Sequence, residues 1–415
     1  MNNINTSTDI EPIMSKKLLL LMSCAISATV ANLYYSQPIL PEMGRDLGIS
    51  SDNLGLIPAA SQLGYSVALL LISPLGDNMP RKKLIGILSC SLIVALILAF
   101  LAGNLMTLIV ACFVIGLSAN ITQQLIPFAA SMVTAEQKGR VIGTLMTGLT
   151  IGILLSRTLS GFVGEHLGWR SVFIMSAILA VIFALFLQVF LPVNKPTSSM
   201  PYGKLVGSMF SLVKQHPLLR QSGIAGGLWF AAFNALWVTL ALHVSEPPFS
   251  YDAQQAGLFG IIALAGVSGA KLSGVMVNKI SPRHLITIAL VIISIGFVVS
   301  SLFGNSLIGL VVGIILIDFG VFSAQVSNQV RVFSIDPAAQ SRINGVYMLF
   351  YFIVGAFGSL VGVKVFDQFG WIGISMFSLI LISLSLVVNN MSIPMLLQDA
   401  LSGASSDTRA RHNMR

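Results

Sequence analysis

Apolar residues along this chain come in long unbroken runs, not in the alternation of a strand or the one-sided stripe of a soluble helix. Each run lasts about 20 residues or more, the length a helix needs to cross the roughly 30 Å hydrocarbon layer of a bilayer. The runs cover residues 18–40, 54–75, 84–102, 105–131, 141–164 and 171–192, then 222–243, 255–277, 284–303, 306–330, 343–366 and 372–395. They predict an all-α membrane protein of twelve transmembrane helices in two six-helix bundles, residues 14–192 and 220–396. Residues 193–219 hold Pro196, Ser198, Ser199, Pro201 and Gly203 with Lys195, Lys204 and Lys214, and read as a cytoplasmic linker with a short surface helix. The polar stretches 1–13 and 397–415 read as disordered tails.

The two halves repeat. Gly139 to Trp169 lines up without a gap on Ser341 to Trp371, 202 residues later. Arg140 meets Arg342, Gly143 meets Gly345, Met146 meets Met348, and Gly168-Trp169 meets Gly370-Trp371. The same offset pairs Asn32 with Asn234, Tyr35 with Trp237 and Gln123 with Gln325. The halves are therefore read as parallel repeats about an axis along the membrane normal, with a seam that can open to either side in turn.

Composition agrees with lipid as the solvent. The chain is 55% hydrophobic and 9% charged, whereas a soluble domain is nearer one quarter charged. The net charge of +8 is spread singly between apolar runs, with no basic patch interleaved with aromatics, which argues against nucleic acid. Clusters such as Lys16-Lys17, Arg81-Lys82-Lys83, Lys138-Arg140 and Arg409-Arg411-Arg415 fall on one side of the predicted topology. The other side holds only Arg45, Arg170 and Lys364. The positive-inside rule then makes both termini cytoplasmic. Cys24, Cys90 and Cys112 fall inside apolar runs and read as packing residues.

The loop after the second span, SPLGDNMPRKKL from Ser73, resembles motif A of the major facilitator superfamily. Asp77, Arg81, Lys82 and Lys83 fit it; Ser73, Asn78 and Pro80 depart from it. The second copy, from Gly274, puts Asn278 where the acid would stand. NLYYSQPILPEM at Asn32, SRTLSG at Ser156, GWRSVF at Gly168 and FNALWVTLA at Phe233 are similar to bacterial drug:proton antiporters and sugar-efflux facilitators. Two features depart from that branch: Cys112 replaces the usual Arg of the fourth span, and Ser156-Arg157 replaces a Gly-Pro of the fifth. The resemblance implies a secondary transporter of the bacterial inner membrane, acting as a monomer on a small-molecule substrate and protons. It implies that Asp77, Arg81 and Lys82 form a cytoplasmic gate.

Charges inside spans are the strongest leads, because they cost about 2.5–3.5 kcal/mol at a helix centre on insertion scales. Asp318 is the one acid inside a predicted span, about 12 residues in, near the midplane. It reads as a proton-binding carboxylate, with a structural acid paired inside the bundle as the alternative. Arg157 can hold an anionic substrate group, pair with Asp318, or snorkel to the outer interface. Lys271 reads as snorkelling. Asn32 and Tyr35, with Tyr34 and Gln37, and their counterparts Asn234 and Trp237, suit an amphiphilic solute through amide and ring contacts. Gln123 and Gln325 are expected along an inner vestibule. No Walker loop, metal-ligand cluster or nucleophile elbow is present, so neither an enzyme nor a cofactor is expected. The leading reading is proton-coupled export of a small organic compound. Uptake of a sugar or metabolite is the alternative within transport, and a non-transporting membrane sensor is the alternative outside it.

Overall fold

A computed structural model describes residues 14–193, 201–277, 279–336 and 340–391. The tail stretches 1–13 and 397–415, Asn278 and part of the linker lie outside the described residues. Six apolar spans come first: α1 Lys16–Leu47, α2 Ser51–Asn78, α3 Arg81–Phe100, α4 Leu105–Ser131, α5 Glu136–Leu167 and α6 Trp169–Phe190. Then follow α7 Pro217–Ser245, α8 Ala253–Met276, α9 Pro282–Phe303 and α10 Leu307–Phe333. A last helical stretch, Arg342–Asn390, turns at Gly370 (φ 62°) and so supplies two spans, α11 (342–369) and α12 (371–390). Twelve spans result, in two pseudo-symmetric bundles of six. Val94, Leu185, Val189, Ile308 and Val387 stand exposed on outward faces, where lipid can cover them. Such a band has no place on a protein in water.

The duplication is visible in backbone geometry. The α5–α6 and α11–α12 turns are both a glycine with positive φ, 81° at Gly168 and 62° at Gly370, followed by a buried tryptophan. Only glycine takes this conformation without a Cβ clash. The α2–α4 crossing repeats as well. A Cβ on Gly64 would lie 3.0 Å from the backbone N of Leu117, and one on Gly266 would lie 3.2 Å from the carbonyl of Asp318. Gly64 and Gly266 are 202 residues apart, so one close helix approach is built twice.

Across the α2–α4 crossing, a Cβ on Gly116 would come within 2.7 Å of the Ser61 carbonyl carbon. Gly116→Val therefore forces the helices apart, a cost of about 1–3 kcal/mol. We expect a lower unfolding temperature in detergent for this variant. Gly143→Ala serves as the control, since a Cβ there meets nothing within 4 Å. Equal melting of the two variants would show that the crossing does not hold the bundle.

The end that carries the linker and the outermost ends of α1 and α12 is called the terminal end, and the opposite one the far end. The halves meet directly toward the far end. There α5 meets α8 through Gly161 and Gly257, while α2 meets α11 through Gly55 and Val363 and through Tyr65 and Phe352. At the terminal end the linker helix Tyr202–Gln215 touches both halves. Tyr202 Oη donates to the Leu71 carbonyl at 2.6 Å, and Arg342 donates to Ser208 Oγ at 3.2 Å.

Two sequence expectations need correction, and one alternative left open for Arg157 is removed. Arg331, one residue past the predicted 306–330 span, lies buried in α10, donating to Ser222 Oγ and Asn389 Oδ1 at 2.9 Å each. The helix runs to Phe333, past the apolar run, and there Nε and Nη1 find partners while Nη2 finds none. Of the cysteines only Cys112 is buried; Cys24 and Cys90 lie exposed on helix faces. Arg157 does not snorkel.

Candidate functional site

The first span is not one regular helix. Over Asn32 to Tyr34 its amides bond three residues back, to the carbonyls of Thr29, Val30 and Ala31 at 3.0–3.3 Å. This tighter winding leaves carbonyls under-used, and the Asn32 side chain takes them up, donating to Ala28 and Thr29. Its Oδ1 accepts from Ser176 Oγ of α6 at 2.6 Å. Short tight segments inside a helix commonly mark a hinge. Here the segment turns Tyr34 and Gln37 toward the seam, while Tyr35 packs into the N-terminal core.

Arg157 of α5 points into that seam and is 1% exposed. Its Nε donates to Gln37 Oε1 at 2.7 Å, and Nη1 donates to the Ile153 carbonyl at 3.2 Å. The guanidinium stacks on Trp237 of α7 at 4.0 Å from the ring centroid, with Tyr34 at 5.1 Å and Phe233 at 6.0 Å. A cation over desolvated rings gains roughly 2 kcal/mol, but rings supply no hydrogen-bond acceptor. Arg157 Nη2 is buried with none.

Asp318 of α10 is 0% exposed, and both its carboxylate oxygens lack a hydrogen-bond partner. It occupies the repeat position of Gly116, so the second copy places an acid where the first needs a bare backbone. No ion pair within 4.0 Å joins it to Arg157, though each charge acts on the other across the seam. A direct pair, one of the alternatives for Arg157, is therefore not formed in this conformation. Gln62 of α2 spans the seam, donating to Asn234 Oδ1 at 2.9 Å and Ser359 Oγ at 3.1 Å.

A cavity of about 320 Å³ sits on the far side of this cluster. Pro38, Ala241 and Ala256 line it, next to or one turn from Gln37, Trp237 and Gly257; Glu42, Arg45, Glu165 and Asp252 supply its charges. Glu165 Oε2 accepts from the backbone amide of Ala253 at 3.2 Å, tying α5 to the start of α8.

Residues 21–359 match the sequence profile of the Major Facilitator Superfamily. The chain belongs to that superfamily. It is 34% identical over 363 residues to Uncharacterized transporter YgaY of Escherichia coli O157:H7, covering 87% of this chain and 92% of that protein. It is 27% identical over 355 residues to Probable transporter SCO4007 of Streptomyces coelicolor, covering 85% and 82%. Among solved structures it is similar to a bacterial homolog of the human lysosomal transporter Spinster in an inward-facing conformation. That match has TM-score 0.74, 14% identity, and coverage of 91% and 96% of the two chains. Nucleoside transporter NupG gives 0.71, 17%, 89% and 98%. The superfamily's members are membrane transporters of small molecules, and the relatives and fold neighbours of this chain are transporters, not enzymes.

Against this frame the sequence candidates sort by position. Arg157, Asn234, Trp237 and Asp318 gather at the seam. Asn32 and Tyr35 do not: the first is spent on the α1 turn and on α6, the second on the N-terminal core. Gln123 and Gln325 are half-buried and accept or donate locally, Gln123 Nε2 to Tyr65 Oη and Tyr347 Oη to Gln325 Oε1, each at 2.8 Å. Of the loop residues, Arg81 pairs with Asp77 at 2.8 Å and reaches the Gln124 carbonyl at 3.5 Å. Lys82 donates to the Leu191 carbonyl at 2.6 Å, at the end of α6. Lys271 is exposed. Sequence reasoning passed over Gln62 and Gly257. An amide in mid-span was the available signal for Gln62, although its repeat position holds Leu264.

Proposed function

We propose that this protein is a monomeric proton-coupled exporter of a small organic compound, working by antiport in the bacterial inner membrane. Asp318 is its exchanging carboxylate. One observation carries the reading: an acid at mid-span, fully buried beside the seam, with neither oxygen bonded. A bare buried carboxylate costs several kcal/mol, and a proton or a cationic group removes that cost. Occupancy by one or the other then biases which way the halves face, because a ligand shifts an equilibrium only through differential affinity for its states. The Lys and Arg distribution supports a cytoplasmic terminal end. On that orientation the far-end contacts describe the conformation closed to the outside. Asp77, Arg81 and Lys82 are proposed to close the cytoplasmic side in the opposite conformation.

The test is purified protein in proteoliposomes with an imposed pH gradient, using compounds found by screening a deletion strain for hypersensitivity. Compound should move against its own gradient at the expense of the proton gradient. Flux that ignores the pH gradient would remove proton coupling from the account.

A further inference from the structure

We propose that the seam binds a zwitterionic amino carboxylate with an apolar or aromatic body, its carboxylate on Arg157 and its ammonium on Asp318. The inference rests on the reading of Asp318 as an exchangeable carboxylate, and it names the substrate class for that site.

The two charges lie on opposite halves, Arg157 on α5 and Asp318 on α10. Both are buried, and each has open hydrogen-bonding capacity. Around Arg157 three neighbouring side chains each hold an unmet donor. Nη2 has no acceptor, and neither has Nε2 of Gln37, whose Oε1 is already held by Arg157 Nε. Trp237 Nε1, on the ring that Arg157 stacks against, is also unmet. A carboxylate has two oxygens and about four acceptor sites, enough for such a set. On the Asp318 side two acceptor oxygens meet no donor, and an ammonium brings three.

Charge decides between ligand classes. A neutral solute leaves both buried ions unpaired. A simple anion pairs Arg157 but leaves Asp318 bare or protonated. A simple cation pairs Asp318 but leaves Arg157 Nη2 open. A zwitterion pairs both, and the occupied site is neutral overall. The walls suit an apolar body. Tyr34, Phe233 and Trp237 surround Arg157, and Phe230 stacks on Tyr351 at 4.0 Å further along the seam. Gly257 lets α8 approach closely here, since a Cβ on it would lie 2.6 Å from the Arg157 carbonyl. The binding step balances with antiport. The ammonium arrives as protonated Asp318 loses its proton to water, so the ion pair replaces the O–H bond. Substrate and proton thus exclude each other.

The experiment measures binding by intrinsic tryptophan fluorescence of the full-length protein in lipid nanodiscs. The probes are phenylalanine, isoleucine, leucine and methionine, each beside its methyl ester, which keeps only the ammonium, and its N-acetyl form, which keeps only the carboxylate. Zwitterions should bind roughly ten- to hundredfold more tightly than either derivative, the range of one charge-assisted hydrogen bond. Arg157→Gln should abolish the preference over the ester, and Asp318→Asn the preference over the N-acetyl form. If Arg157→Gln does not fold, Gln37→Met should weaken the preference over the ester. No zwitterion bound, or no preference for one, overturns the inference. If that happens while Asp318→Asn still abolishes proton coupling, the proton reading stands without it. If zwitterions are preferred but Asp318→Asn leaves coupling intact, the site stands and the proton reading falls.

Discussion

Asp318→Asn will reduce transport driven by a pH gradient to the level of protein-free liposomes. The amide has the shape of the acid but no proton to exchange. The folded protein should tolerate it, because the carboxylate it replaces bonds to nothing in the structure. Removing an unpaired buried ion is neutral or stabilising when the volume is kept. The expected signature is thus specific: normal yield and melting in detergent with abolished coupling. Loss of folding instead would return Asp318 to the structural role that the sequence left open. Coupled flux at the native rate would exclude it as the proton site.

The second large effect concerns the α5–α8 contact. Gly257 lies against Arg157 and Gly161, where an added Cβ would stand 2.6 Å from a carbonyl oxygen and 3.2 Å from a Cα. Neither atom is a flexible side-chain end, so relief requires the halves to part. Gly257→Leu therefore penalises the far-closed conformation by about 1–3 kcal/mol, which moves a two-state equilibrium by roughly 5–150-fold. We expect transport to fall with the fold intact and the far-end mouth to stand open. Labelling of Ala241→Cys, in the lining of the cavity beside the site, should accelerate with membrane-impermeant maleimide. Unchanged labelling and flux would mean that this contact does not close the far end.

Much of the architecture was legible because membrane and glycine constraints are strict. A span must be apolar over about 20 residues, and the Gly168-Trp169 and Gly370-Trp371 turns need positive φ, so both left plain marks. Asp318 stood out because a lone acid in an apolar run is costly. The detail of the site was less legible, and the repeat itself misled. It equated Asn32 with Asn234 and Tyr35 with Trp237. In the first copy, however, α1 tightens over residues 32–34, which hands the seam-facing place to Tyr34; the Asn32 amide donates four residues back, as Asn234 does to Phe230, but its Oδ1 accepts from Ser176 of α6 and not from Gln62. In the second copy α7 runs on as a regular helix, leaving Asn234 at the seam. Two identical side chains thus share one local bond and differ in the helix their oxygen faces. Arg331 escaped for a related reason: its partners, Ser222 and Asn389, come from helices distant in the chain, and no local pattern announces them.

The central claim is that two duplicated halves rock about a seam holding Arg157 and Asp318. It is tested most directly by distances across that seam, using spin labels in liposomes with Cys24, Cys90 and Cys112 replaced by alanine. One pair, Ser51→Cys with Asp367→Cys, spans the far end; the other, Lys138→Cys with Lys279→Cys, spans the terminal end. Titrating from acid to alkaline pH should change the two distances in opposite senses, and Asp318→Asn should suppress the change. Distances that stay fixed, or that lengthen and shorten together, would contradict the account.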